Sequence, residues 1–265
     1  MNKYAILIPS YNSTVSEINS TFMQLPINVP IYVIDDGSEI PFELQAKHVL
    51  TKFPLLNIIR FEKNKGIEHA LNAGLDLIIE NFTYVARIDI GDSCSPERFI
   101  EQIKFMEENK DYSIVGCWAS FYNENKDFLF VKKMPLQDKN IRRYMYINNA
   151  FVHPSVMMRC SSVKAVGGYG YKYAACEDYD LFFRLMHVGK VKNFDKAWVN
   201  YEVSSKSISS LKRKIQVKNR IKIIIANFTF IENGIYPYYG LSRNIIMYFI
   251  GRNITTWLQK IMNRS

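Results

Sequence analysis

The first third of the chain alternates two kinds of segment, and this alternation limits the fold more than any other feature of the sequence. "YAILIP", "PIYVID", "LLNIIRF" and "FTYVARID" are short apolar runs rich in Ile and Val, closed by a proline, an aspartate or another charge. Apolar runs of this length predict strands buried on both faces. Between them, "GIEHALNAGLDLIIEN" places Ala70, Leu71, Leu75 and Ile78 along one helical face. Strands alternating with helices imply right-handed crossovers and a mostly parallel central sheet with flanking helices, an α/β fold of Rossmann-like type. Ligands of such sheets sit outside the carboxyl ends of the strands. The polar residues gather there: Ser10, Tyr11 and Asn12 after the first strand, Asp35, Asp36, Gly37 and Ser38 after the second, Asp89 and Asp92 after the fourth.

The fourth of these strand ends reads "ARIDIGDSCSPERF". Asp and Gly suit a tight exit from a strand, and two carboxylates equally suit a cation or a sugar hydroxyl. The gathering of polar side chains on one rim favours a ligand. Beyond it, "SPERFIEQIKFMEEN" predicts a helix that Pro96 opens, and "SIVGCWASFY" with "FLFVKK" predicts a pair of strands. "NAFVHPSVMMR" follows a polar helix, and "EDYDLFFRLMHVG" predicts an amphipathic helix ending at Gly189. Glu177, Asp178 and Asp180 crowd its first turn, where the helix dipole alone would favour them.

With 265 residues, 48% of them hydrophobic and 22% charged, the chain suits one large domain or one domain with an appendage. No run reaches the roughly eighteen apolar residues of a spanning helix. The apolar run before Pro9 is too short for a signal-peptide core and predicts a first strand. Cys94, Cys117, Cys160 and Cys176 are scattered without a C-x-x-C pair, which points away from a disulfide framework and toward a reducing cytosol. Charge is unevenly placed. From Ser204 onward there are eleven basic residues against one acid, Glu232, while the first 203 residues hold 23 basic and 24 acidic ones. The expected organisation is a catalytic domain over 1–203 and a basic amphipathic helical tail over 204–265.

Six motifs in order, "ILIPSYN", "VIDDGS", "NKGIEHALNAGL", "ARIDIGD…SPERF", "FVHPSVMMR" and "GGYGYKYAACEDYDLFFRL", resemble the glycosyltransferases of family 2 with the glycosyltransferase-A fold, across about residues 3–200. By pattern they look like bacterial enzymes that extend surface polysaccharides. The resemblance implies a nucleotide site at Pro9, Tyr11, Asp36, Asn64, Lys65 and Asp89, with Asp36 accepting from the base. It implies a divalent cation, Mn2+ or Mg2+, at Asp89. The family's second aspartate falls on Gly91, so Asp92 is the candidate replacement, and His153 of "FVHPS" is a further candidate for the metal or diphosphate. A cation of this kind needs only one or two carboxylates besides diphosphate oxygens and water. Asp178 matches the family's catalytic base, which would deprotonate the acceptor as it attacks, and Glu177 falls on the acceptor side.

The resemblance therefore implies an inverting transfer from a UDP-sugar to a glycan or a polyprenyl-diphosphate-linked acceptor. The Q-x-x-R-W motif of processive synthases is absent, since "QVKNR" at 216–220 does not match, so one sugar per encounter is expected. The tail predicts two helices, in "SSLKRKIQVKNRIKIIIANF" and "LSRNIIMYFIGRNITTWLQKIMNR", the second aligning Ile246, Ile250, Ile254, Trp257 and Ile261 opposite Arg252, Thr255 and Gln259. Such a helix can dock on the core or lie in an anionic membrane interface, which would make the protein cytoplasmic and peripheral at the inner face of the cell membrane. Two rivals stand beside this reading. A sugar nucleotidyltransferase would carry a Gly-rich loop after the first strand, where "PSYNSTVSE" has none. A nucleic-acid-binding protein would explain the basic tail, but no familiar reading motif accompanies it, so nucleic acid is not an expected partner.

Overall fold

The computed structural model describes residues 3–203 and 212–249. Among these, nine strands form one sheet: β1 (Tyr4–Ser10), β2 (Ile31–Asp35), β3 (Leu56–Arg60), β4 (Tyr84–Arg87), β5 (Ser93–Cys94), β6 (Tyr112–Tyr122), β7 (Phe128–Lys132), β8 (Met157–Arg159) and β9 (Lys190–Glu202). The order across the sheet is β3-β2-β1-β4-β8-β6-β9-β5, with β7 beside β6. The helices are α1 (Val15–Phe22), α2 (Phe42–Gln45), α3 (Lys47–Leu50), α4 (Ile67–Ile78), α5 (Glu97–Glu108), α6 (Asp138–Ile147), α7 (Cys160–Ala165), α8 (Glu177–Val188), α9 (Arg213–Ala226) and α10 (Tyr236–Phe249).

The α/β expectation holds, with one correction. β3, β2, β1 and β4 are parallel, but β8 runs antiparallel to both β4 and β6. β6 and β7 pair antiparallel across a short turn, the geometry such a turn imposes. Parallel pairing returns only between β6 and β9, so the sheet is parallel in its N-terminal half and mixed beyond. β3 departs from burial on both faces: as the edge strand it is part-exposed along its length.

Alternation along β1 divides the core. Ala5 and Leu7 pack with Ala70, Leu71, Leu75 and Ile78 of α4 on one face, while Ile6 and Ile8 pack with Ile18, Phe22 and Phe99 on the other. α1 starts at a capping box, where Thr14 Oγ1 accepts from the Glu17 amide at 3.3 Å and Glu17 Oε2 accepts from the Thr14 amide at 2.7 Å. All four cysteines are buried free thiols.

The two tail helices pack on each other, and α10 also packs on α6. The Tyr146 hydroxyl of α6 donates to the Asn227 carbonyl at 2.6 Å. Both helices differ in extent from the sequence expectation, the second beginning at Tyr236. Of its expected apolar stripe only Ile246 lies within the described residues; Ile250, Ile254, Trp257 and Ile261 lie outside them, as do Arg252, Thr255 and Gln259. Among the described residues no helix is long and apolar enough to cross a membrane.

Candidate active site

The strand-end rim carries two groups of residues. The first lies beyond β1, β2 and β3. Asp36 is buried, and its two oxygens accept from the backbone amides of Lys65 at 2.7 Å and Gly66 at 2.9 Å. Asp36 therefore ties down the loop leading into α4, and each oxygen keeps one lone pair for a ligand. Asp35, fully buried, accepts from the amides of Ser38 and Phe42, both at 2.9 Å. Ser38 Oγ accepts from the Asn12 amide at 2.8 Å, and Asn12 Oδ1 accepts from the Glu39 amide at 2.9 Å. These bonds join the loops after β1 and β2. Tyr11 stands exposed at that junction, next to Pro9 at the end of β1. Asn64 is exposed, and Lys65 rests its ammonium 4.6 Å from the Phe61 ring centre.

The second group lines a cleft of about 460 Å3 that includes Asp89, Phe121, Lys132, Asn149, His153, Glu177, Asp178, Tyr201, Gln216 and Arg220. Its anchor is Arg87, a fully buried arginine in the apolar strand β4. Its guanidinium donates to the Leu7 carbonyl at 2.7 Å, the Ile88 carbonyl at 3.1 Å and Asp89 Oδ1 at 2.5 Å. Buried charge-assisted bonds of this kind contribute about 1.5–3 kcal/mol each. Burial alone would push the Asp89 carboxyl up, but the Arg87 charge, with Arg98 behind it, holds it below the usual carboxylate range.

Asp92 does not join Asp89 on the cleft wall. It is buried, with Oδ1 accepting from the Glu202 amide at 2.9 Å and Oδ2 lacking a protein partner. Burial, with the negative charge of Asp89 beside it, raises its carboxyl well above the usual range. Gly91 lies between them at φ +98°, a conformation L side chains rarely adopt, so an aspartate would be strained there. His153 does line the cleft. Its Nε2, however, is paired with the Tyr169 hydroxyl at 2.8 Å and faces Arg87 Nε at 3.4 Å. Burial and Arg87 lower its pKa to about 4, which leaves a neutral imidazole at pH 7.

Among the described residues no three His, Cys, Asp or Glu side chains gather to hold a metal ion. The set Asp89, Asp92 and His153 is thus not a protein cage. Asp89 alone, on the cleft wall and held by Arg87, fits a cation whose remaining positions come from a diphosphate and water.

α8, whose first two residues line the same cleft, begins without a side-chain cap. Asp178 Oδ1 accepts from the Tyr179 amide at 2.7 Å and Oδ2 from Asn149 Nδ2 at 2.8 Å. Glu177 is buried with Oε2 unpartnered, and burial reinforced by Asp178 pushes its carboxyl up to about 8. The approach to this helix turns at Ala175, whose φ of +60° is costly for a residue with a side chain. The tail holds it there. Asn219 Nδ2 donates to the Ala174 carbonyl at 2.9 Å and Gln216 Nε2 to the Ala175 carbonyl at 3.2 Å. Arg220 and Lys132 add two cations to the cleft, and burial, with Arg220 nearby, lowers Lys132 to about 8.

Of the residues the sequence motifs point to, Asp89, His153, Glu177 and Asp178 line the cleft and Asp92 does not; Lys132, Asn149, Gln216 and Arg220, which no motif marks, line it too, and Arg87 anchors it. A lone arginine inside "YVARID" was a readable signal for Arg87, since a buried strand tolerates a charge only with partners.

A family model described as Glycosyl transferase family 2 matches residues 5–167. The amylovoran biosynthesis glycosyltransferase AmsE of Erwinia amylovora is 30% identical over 250 residues, covering 88% of this chain and 90% of that protein. The chain belongs to glycosyltransferase family 2. Among solved structures, S. aureus TarS 1–349 in complex with UDP aligns with a TM-score of 0.67 at 18% identity, over 95% of this chain and 73% of that one. The mannosyltransferase PcManGT from Pyrobaculum calidifontis, in complex with GDP-Man and Mn2+, aligns with a TM-score of 0.64 at 11% identity, over 98% and 79%. These likenesses establish the glycosyltransferase-A fold.

Proposed function

We propose that the protein transfers a single sugar from a UDP-sugar to a glycan or polyprenyl-diphosphate-linked acceptor, with inversion, in surface polysaccharide synthesis at the inner face of the cell membrane. The observation that carries this reading is one cleft lined by both Asp89, which Arg87 holds, and Asp178, which Asn149 holds. The solved neighbour TarS is found in complex with UDP and with UDP-GlcNAc, which supports the donor class, and AmsE is named for amylovoran biosynthesis, which supports the biosynthetic role.

The roles follow from the chemistry of each group. The loops after β1 and β2, with Tyr11 exposed and Asp36 retaining acceptor capacity, receive the base, with Pro9, Asn64 and Lys65 beside it. Asp89 would hold a divalent cation, which when bound would neutralise the charge developing on the leaving group. Asp178 removes the acceptor proton as its oxygen attacks the anomeric carbon. A direct inverting displacement needs one base and no covalent intermediate. Glu177, neutral at pH 7, can donate a hydrogen bond to the acceptor, which a carboxylate could not.

Calorimetry with UDP, GDP and dTDP, with and without Mn2+, tests the donor site. Metal-dependent UDP binding abolished by Asp89→Ala is expected, and Asp178→Asn is expected to bind UDP normally while losing about 10²–10⁴-fold in transfer rate. No nucleotide binding under any condition would overturn the reading.

A further inference from the structure

The helix α10 is amphipathic in the opposite sense to a docked helix. Its inward face presents Pro237, Gly240 and Asn244, all buried. Gly240 lies so close to α6 that an added Cβ would stand 2.1 Å from the Tyr146 carbonyl oxygen. Asn244 satisfies its amide on the Gly240 carbonyl at 2.8 Å, and Arg243 donates to the Ile147 carbonyl at 3.1 Å. The outward side carries Ile235, Tyr238, Tyr239, Ile245, Ile246 and Phe249, preceded by Phe230 and Ile231 in the turn from α9; their exposures run from 42% at Ile245 to 87% at Ile231. At helical spacing the six outward residues from 235 to 249 fall within an arc of about 120°. A contiguous exposed apolar stripe of this kind marks an interaction surface.

The charges beside the stripe identify the partner. α9, packed against α10, places Lys214, Lys218 and Lys222 in an exposed row at i, i+4 and i+8, with Lys212 exposed just before it and no acid between Lys212 and Ala226. An apolar arc containing tyrosines, with a lysine row on the helix packed against it, matches the interface of an anionic bilayer, where the arc enters the acyl boundary and the lysines meet phosphate headgroups. A second copy of the chain fits less well. A two-fold contact through the same patch would bring together two surfaces that each carry the lysine row. The C-terminal residues from Ile250 add Arg252, Lys260 and Arg264 and no acid, so they offer nothing to neutralise the row.

We propose that the outward face of α10, with the lysine row of α9 beside it, is the surface that seats this protein on an anionic lipid bilayer. The proposal deepens the reading of a membrane-side acceptor and rests on it. It also gives α9 two tasks, because the helix that bears the lysine row supplies Gln216 and Arg220 to the cleft. The cleft is thereby held at the lipid surface, where a lipid-linked diphosphate would be presented.

Sedimentation of the full chain with phosphatidylcholine vesicles, with and without 30% phosphatidylglycerol, tests the surface at low and high salt. The wild type is expected to pellet with the anionic vesicles and to lose at least tenfold in affinity as salt rises. Tyr239→Glu/Ile246→Glu, which alters only exposed positions, is expected to lose at least tenfold while keeping UDP affinity and thermal stability. Lys214→Gln/Lys218→Gln/Lys222→Gln should lose the preference for phosphatidylglycerol. A wild type that binds no vesicles overturns the membrane reading itself. A wild type that binds while Tyr239→Glu/Ile246→Glu binds equally well overturns this surface and spares that reading. A wild-type dimer by light scattering that Tyr239→Glu/Ile246→Glu converts to monomer, with no vesicle binding, assigns the stripe to a second copy.

Discussion

Glu177 should make the fold less stable as pH rises, and Glu177→Gln should remove that dependence. The side chain is 7% exposed, Oε2 has no partner, and Asp178 adjoins it. Its pKa is accordingly raised in the folded state to about 8, against about 4.3 in the unfolded chain. Between those values the folded protein holds a proton that the unfolded chain has released, so stability falls as pH rises. The contribution is complete below pH ~4, is lost through the window up to pH ~8, and is constant above it. One proton of difference corresponds to at most about 1.4 kcal/mol per pH unit. From pH 5.5 to 7.5 the ceiling is about 2.7 kcal/mol, or roughly 5–10 °C in Tm for a chain of this size.

The assay is thermal unfolding of wild type and Glu177→Gln at half-unit intervals from pH 5 to 9. The variant exchanges one unpartnered oxygen for an amide, which costs a similar amount at every pH, so the slope and not the offset carries the test. The expected result is a Tm difference that shifts in favour of the variant as pH rises and levels off above pH 8. Parallel curves across the whole range would refute the argument that burial keeps a proton on this carboxyl.

Two further predictions concern packing. Arg87→Met removes the donors to the Leu7 and Ile88 carbonyls and to Asp89, so it should cost about 3–5 kcal/mol and weaken UDP binding; a urea midpoint equal to wild type would contradict this. Gly240→Val forces a side chain against the Tyr146 carbonyl and should cost about 1–3 kcal/mol by displacing α10, whereas an unchanged urea midpoint would mean that α10 is not packed on α6 this closely.

The strand ends were legible because an apolar run closed by Asp or Ser states both the strand and the side of the sheet on which its polar residues emerge. This is why Asp36, Asp89 and the loops around them were found. β9 was not found. Its sequence, "KVKNFDKAWVNYE", is interrupted by charges, and its register against β6 shifts near Cys117 and Trp118, which breaks the period-2 pattern a strand is recognised by. Asp92 illustrates a different limit: its spacing from Asp89 suggested a pair, but the left-handed turn at Gly91 sends it to the Glu202 amide instead. Lys132, Gln216 and Arg220 come from segments far apart in sequence, and their meeting depends on how β7 and α9 pack. The apolar stripe of α10 was visible in part as periodicity, but periodicity defines a face without saying whether it points inward. Gly240 and Asn244 decide that: both are buried, and at Gly240 there is no room for a side chain where the helix meets α6.

The tail is part of the cleft and not an addition to it, since Gln216 and Arg220 line it. The acid pair starts α8 two residues after Ala175, which is held in the left-handed region. Such strain persists only where the surroundings over-determine it, and here the bonds to the Ala174 and Ala175 carbonyls come from Asn219 and Gln216 of α9. α9 is in turn packed against α10, which Gly240 allows to lie close on α6. A force applied to the outer face of α10 therefore has a continuous packed route to the turn that positions Glu177 and Asp178. If α10 rests on lipid, docking steadies the same elements that hold the turn before Glu177 and Asp178.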